Sequence, residues 1–181
     1  MSTFTIEIED QGLRAALKAL QGRVDNMQPV MADLGEKLLE RTKHRFETST
    51  GPDGAAWKPN SPATLALLAS GLGKSYRKNS GALNKRGQAR IDEKKPLIGA
   101  TRQLGKQIVY SATGNRLTVS TTAVTAAYAA IQQFGGQAGR GRKVTIPARP
   151  FMPVTQGGSI YPEEQAMILE TINAYLQDAL D

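Results

Sequence analysis

Cysteine is absent from the 181 residues and histidine occurs once. The first absence excludes disulfides and thiolate metal sites and fits a reducing cytosol. The second excludes clustered-histidine metal sites. His44 stands between Lys43 and Arg45, and its neighbours offer no partner for acid–base work, so an exposed or partly packed histidine is expected. No apolar run approaches the ~20 residues of a membrane helix. The start, MSTFTIEIED, lacks the basic and apolar regions of a signal peptide. Lysine and arginine are missing from Phe151 to the end, where Glu163, Glu164, Glu170, Asp178 and Asp181 lie. Of the usual catalytic sets only paired carboxylates remain. Asp92-Glu93 falls in a lysine-rich loop and Glu163-Glu164 at a helix start, and adjacent residues on a strand point to opposite faces. GLGKS (71–75) lacks a phosphate loop's earlier glycine, because position 68 is leucine. The expectation is a protein without catalysis, cofactor or metal.

What is present is positive charge, unevenly placed. The net charge is +7. Between Lys74 and Lys106 ten Lys/Arg face only Asp92 and Glu93. Such a stretch either contacts nucleic acid or an acidic partner, or is a loop kept soluble by its charge. Against nucleic-acid readout, Tyr76 is its one interleaved aromatic and no reading motif is present.

Residues 3–9 alternate (Phe4, Ile6 and Ile8 against Thr3, Thr5, Glu7 and Glu9), the pattern of a half-buried strand. Asp10 is placed to cap the helix that follows, whose apolar stripe is Leu13, Ala16, Leu17 and Leu20. Pro29 fits the first turn of a second helix, with Asn26 as its cap and Val30, Leu34, Leu38 and Phe46 near one face. Residues 48–62 are turn-rich and hold the single tryptophan, Trp57, which is an interface anchor or a lid pinning the loop to the core. After a short apolar segment (63–69), residues 70–95 read as a mobile basic excursion. A hairpin is expected over 107–112 and 116–121, and a helix over 123–134 with Tyr128, Ile131 and Phe134 as one face. A terminal helix opens at Pro162, with Ile168, Ile172, Tyr175, Leu176 and Ala179 facing a sheet. The class expected is α+β. An antiparallel sheet carries two to three helices, with a long basic loop and a proline-rich extended arm. One domain spans 1–181, with 48–96 largely loop.

The remaining stretch, Tyr128 to Val154, reads YAAIQQFGGQAGRGRKVTIPARPFMPV. Gly135 and Gly136 permit a sharp turn after Phe134. Arg140, Arg142 and Lys143, set among Gly139 and Gly141, make a flexible basic loop. Pro147, Pro150 and Pro153 then force extended geometry and bar a helix or a central strand. The result is a rigid arm that places Arg149 and Phe151.

These residues resemble the phage virion morphogenesis family of tail-completion and head–tail joining proteins. There a YA…HQFGG segment leads through a variable loop into IPARPFLG. Gln132 stands where many relatives carry histidine, and Met152-Pro153 replaces Leu-Gly. Phe46, Gly51, Pro52, Gly54, Trp57 and Pro59 follow the family's F…P.G..W.P order. Pro96-Leu97-Ile98, Leu104 and Ile108 follow its LI.TG.L..SI segment, with Ala100-Thr101 in place of Thr-Gly.

The resemblance implies a virion protein forming a ring at the neck, at the head-proximal end of the tail, and assembled in the host cytoplasm. The ring completes the tail and joins it to the head. Implied partners are further copies of the chain (six in the ring), the tail tube protein and the head–tail connector or stopper, with genomic DNA touched nonspecifically in the lumen and no membrane. Opposite charges on separate parts of one subunit suit a head-to-tail interface, which closes into a ring when the rotation permits. The interface residues expected are Trp57, Phe134, Arg149 and Phe151, and replacing Phe151 is expected to harm assembly more than folding. Lys85, Arg86, Lys94, Lys95, Arg140, Arg142 and Lys143 are the candidates for DNA or lumen contact. The alternative is a basic, nonspecific nucleic-acid-binding protein or a transient assembly factor.

Overall fold

The computed structural model describes residues 11–99 and 101–180; the strand expected over 3–9 and the Asp10 cap lie outside the described residues. The central element is α2 (Gln28–Thr48), preceded by α1 (Gln11–Asp25). Pro29 sits in the first turn of α2, where its missing N–H costs no helical bond. The cap position falls to Met27 rather than Asn26, and no side chain closes it. The Asn26 carbonyl instead accepts a bond from the Tyr175 hydroxyl (2.6 Å). Val30, Leu34, Leu38 and Phe46 are buried, as their spacing requires.

The hairpin β1 (Ile108–Thr113) and β2 (Arg116–Thr121) lies across α2, paired from Ile108↔Thr121 to Thr113↔Arg116. Gly114, at φ +55, opens its two-residue turn. Gln28 fixes that end to α2, donating to the Ala112 carbonyl (2.9 Å) and accepting from the Gly114 N–H (2.7 Å). At the crossing the helix must offer a glycine. A Cβ on Gly35 would stand 2.2 Å from the Tyr110 ring.

Short α5 (Gln103–Lys106) leads into β1, and α6 (Ala123–Phe134) follows β2. A second hairpin, β3 (Gly136–Ala138) and β4 (Val144–Ile146), is separate from the first. The class is α+β, but the expected single sheet is two two-stranded hairpins among the described residues. The terminal helix α7 (Pro162–Gln177) packs on α2 and α1 rather than on a sheet, and its stripe from Ile168 to Ala179 is half-buried.

The α1 stripe is partly covered: Ala16 and Leu20 are half-buried, while Leu13 is 54 % and Leu17 58 % exposed. The helix is tied at its far end, where Arg23 pairs with Asp178 and lies 4.7 Å over the Tyr175 ring. Part of the stretch 48–96 is helical. It holds α3 (Pro62–Ser70), capped by Ser61, and α4 (Lys85–Asp92), capped by Asn84 accepting from the Gly87 N–H (2.9 Å). Arg77 crosslinks the segment by donating to the carbonyls of Ala69, Leu72 and Gly81. Side chains spent on backbone carbonyls can order a polar stretch that has no apolar periodicity.

The core lies where α2, α5, β1, α6 and the proline arm converge: Phe46, Trp57, Leu104, Ile108, Ala129 and Phe151. Phe46 meets Trp57 edge-on and Phe151 at a tilt, each at 5.3 Å between ring centres. Phe151 is 1 % exposed, and such a side chain contributes about 1.5–3 kcal/mol by burial.

Candidate assembly face

The proline arm cannot join a ladder, yet its carbonyls and remaining N–H groups are buried or half-buried and need partners. Side chains supply most of them, while the Arg149 N–H donates to the Gln132 carbonyl (2.8 Å) and the Pro153 carbonyl accepts from the Tyr161 N–H (3.1 Å). Gln133 accepts from the N–H groups of Phe151 and Met152 (both 2.8 Å) and donates to the carbonyl of Val154 (2.9 Å). Trp57 Nε1 donates to the Pro150 carbonyl (2.8 Å) and Arg45 Nη1 to that of Phe151 (2.8 Å). Arg149 donates to the carbonyls of Lys58 and Pro59 (2.7 Å each), closing the Trp57 loop over the arm. This work explains why α6 turns Thr125, Ala129 and Gln133 inward rather than Tyr128, Ile131 and Phe134. Tyr128 remains 39 % and Phe134 36 % exposed.

Behind the arm lies a buried ionic group. Glu164, at 0 % exposure, is clamped by Arg41 through Nε and Nη2 (2.7–3.1 Å) and by Arg45 Nη2 (2.5 Å). Burial pulls the Arg45 pKa down while Glu164 pushes it up, and the bond to Glu164 raises that of Arg41. In the sequence Glu164 stands only as the second of two glutamates at a helix start. Its burial depends on two arginines more than a hundred residues away, which no local pattern announces.

On the outer side of the arm a groove of about 500 Å³ opens between α6, the β3–β4 hairpin and the segment 94–104. Leu97, Ile98, Tyr128, Val144 and Ile146 give it apolar walls, and Lys94 and Arg149 give it positive charge. None of its described lining residues is a carboxylate. Burial lowers the pKa of Arg149, and burial with the nearby Arg90 charge lowers that of Lys94, as expected for cations without a counter-ion. The Gln132 amide oxygen is buried here with no donor against it. Leu97 (φ +58) and Arg102 (φ +54) hold left-handed backbone in the same segment, a strain that tends to collect at functional sites. A second hollow of about 480 Å³ shares Leu97 and Ile98 and sets Lys43, Lys95, Arg102 and Lys106 against Glu47.

The expected site residues thus divide. Trp57 and Phe151 stand in the core, and Arg149 is 7 % exposed at the groove floor with its bonds inside the subunit. A side chain as enclosed as Phe151 has no area left for a partner in this conformation. Its burial argues that losing it costs the subunit stability. Phe134 keeps surface. Lys94 and Lys95 line the two hollows, Lys95 also donating to the Glu47 carbonyl (2.5 Å). Lys85 and Arg86 are exposed on α4, Arg86 lying 5.2 Å over the Tyr76 ring. Arg140 and Arg142 form the turn at the tip of the β3–β4 hairpin, and Lys143 follows; Arg140 and Lys143 are exposed. The glycine-rich loop is therefore a hairpin whose β4 also walls the groove. Gly135 makes this possible, since at φ +74 its absent Cβ would sit 2.8 Å from the Ala148 nitrogen.

The family model described as phage virion morphogenesis family matches residues 8–177. The chain is 32 % identical over 173 residues to a protein of Haemophilus influenzae called Mu-like prophage FluMu G protein 2, covering 95 % of each. No solved structure matches.

Proposed function

This chain belongs to the phage virion morphogenesis family, whose members serve in making the phage particle, and from that premise we propose that it forms a ring at the head-proximal end of the tail. The ring completes the tail and joins it to the head connector, without catalysis. The observation that carries this reading is the division of charge on the subunit. One face presents an acid-free groove and a basic hollow beside it. The outer face of α7 exposes Glu170, and the helix itself carries no lysine or arginine. Such a pair of unlike faces supports head-to-tail association, and closure gives a ring. Copies of this chain, six by the family resemblance, then share the neck with the tail tube protein and the connector or stopper. The basic hairpin tip suits nonspecific phosphate contact with genomic DNA in the lumen.

The test is complementation. Particles assembled without this chain should accumulate as separate heads and tails, and purified protein added to the extract should restore joined, infectious virions. Joined particles in its absence would sink the reading. The competing reading, a nonspecific nucleic-acid binder, draws on the exposed Lys85 and Arg86. It requires salt-sensitive duplex binding and no effect on joining.

A further inference from the structure

The groove asks for a particular occupant. Its apolar walls need an apolar side chain, and Lys94, with no carboxylate among the described lining residues, needs acid. A nucleic-acid backbone would satisfy Lys94 and Arg149 but leave Tyr128, Val144 and Ile146 facing water. An acidic amphipathic helix satisfies both, and this chain carries one. On α7, Ala166, Leu169, Glu170 and Asn173 fall at i, i+3, i+4 and i+7 and are all exposed, Leu169 by 52 %. No residue of α7 lines the groove, so within one subunit the two surfaces do not compete.

We propose that the groove receives the outer face of α7 from a second copy of the chain, with Leu169 among Tyr128, Val144 and Ile146 and Glu170 facing Lys94. The contact is heterologous, one copy giving α7 and the other the groove, so each subunit keeps one free groove and one free helix until a ring closes. The inference rests on the ring reading and names the surfaces that build it.

The cysteine-free sequence makes the contact directly testable. Chains carrying Val144→Cys and Leu169→Cys are made separately, mixed and mildly oxidised. Leu67→Cys, at a site 74 % exposed and outside the groove, replaces Val144→Cys in the control. The expected result is a mixed disulfide dimer formed roughly tenfold faster than the control pair. Lys94→Glu on the groove chain or Glu170→Lys on the helix chain should each remove that advantage, and the two together should restore it. Crosslinking no faster than the control overturns the proposal, as does loss of duplex DNA binding by Lys94→Glu with crosslinking unchanged. A wild-type ring with control-rate crosslinking defeats this contact and leaves the ring reading standing. Fast crosslinking in a protein that forms only open chains upholds the contact and defeats the ring.

Discussion

Glu164 and Phe151 are the side chains on which the subunit most depends. Removing Glu164 leaves Arg45, whose side chain is 6 % exposed, charged and uncompensated beneath the proline arm. Breaking one partner out of a buried ionic group typically costs about 3–5 kcal/mol. Glu164→Ala should therefore lower the free energy of unfolding by that amount in a guanidinium chloride titration, and a loss under about 1 kcal/mol would show the group is not energetically coupled. Phe151→Ala should cost about 3–5 kcal/mol through lost burial and the cavity left beside Phe46. The readout is again unfolding of the isolated subunit. If stability held while assembly failed, Phe151 would be an interface residue after all. Neither residue's depth is visible locally. Phe151 sits in a proline-studded run without helical or strand periodicity, and Glu164 follows another glutamate at a helix start, where exposure is the ordinary expectation.

At the scale of elements, local signals located the helices and missed some of their faces. α6 runs over the expected residues because its composition is helical and Gly135-Gly136 stop it. α7 begins at Pro162 for the same kind of reason. The inward face of α6 was not legible, because Gln133 is drawn in by a proline arm that needs donors and acceptors from side chains. α4 was hidden by its own composition, charged and interrupted by Gly87. That glycine is required, since a Cβ there would stand 2.3 Å from the Tyr76 carbonyl oxygen. The groove was legible only as fragments, being assembled from residues 59–64, 94–104, 128–132 and 144–149. Two expectations follow for the β3–β4 hairpin. Gly135→Ala combines a left-handed backbone with a backbone clash and should cost about 1–3 kcal/mol, read as a lowered melting temperature. Arg140→Gln with Lys143→Gln should leave that temperature unchanged, since both are exposed. If the tip meets DNA, the pair should reduce the slope of log binding constant against log salt by about 2; an unchanged slope would remove the tip from DNA contact.

For the whole molecule, the distribution of surfaces matters more than any one of them. The groove has no carboxylate among its described lining residues, and Glu170 stands exposed on the outer face of α7. The α1 stripe, with Leu17 58 % exposed, adds apolar surface beyond what this packing covers. A subunit built this way is suited to association with copies of itself and with neighbours along a tail. The most direct measurement is therefore the mass of the purified protein by light scattering, alone and with the proposed partner, a tail tube protein. A closed ring, at a fixed multiple of 19.5 kDa in at least one of the two conditions, is the expected result. A monomer under both conditions that binds duplex DNA in a salt-sensitive way would contradict it and make the basic face a nucleic-acid surface instead.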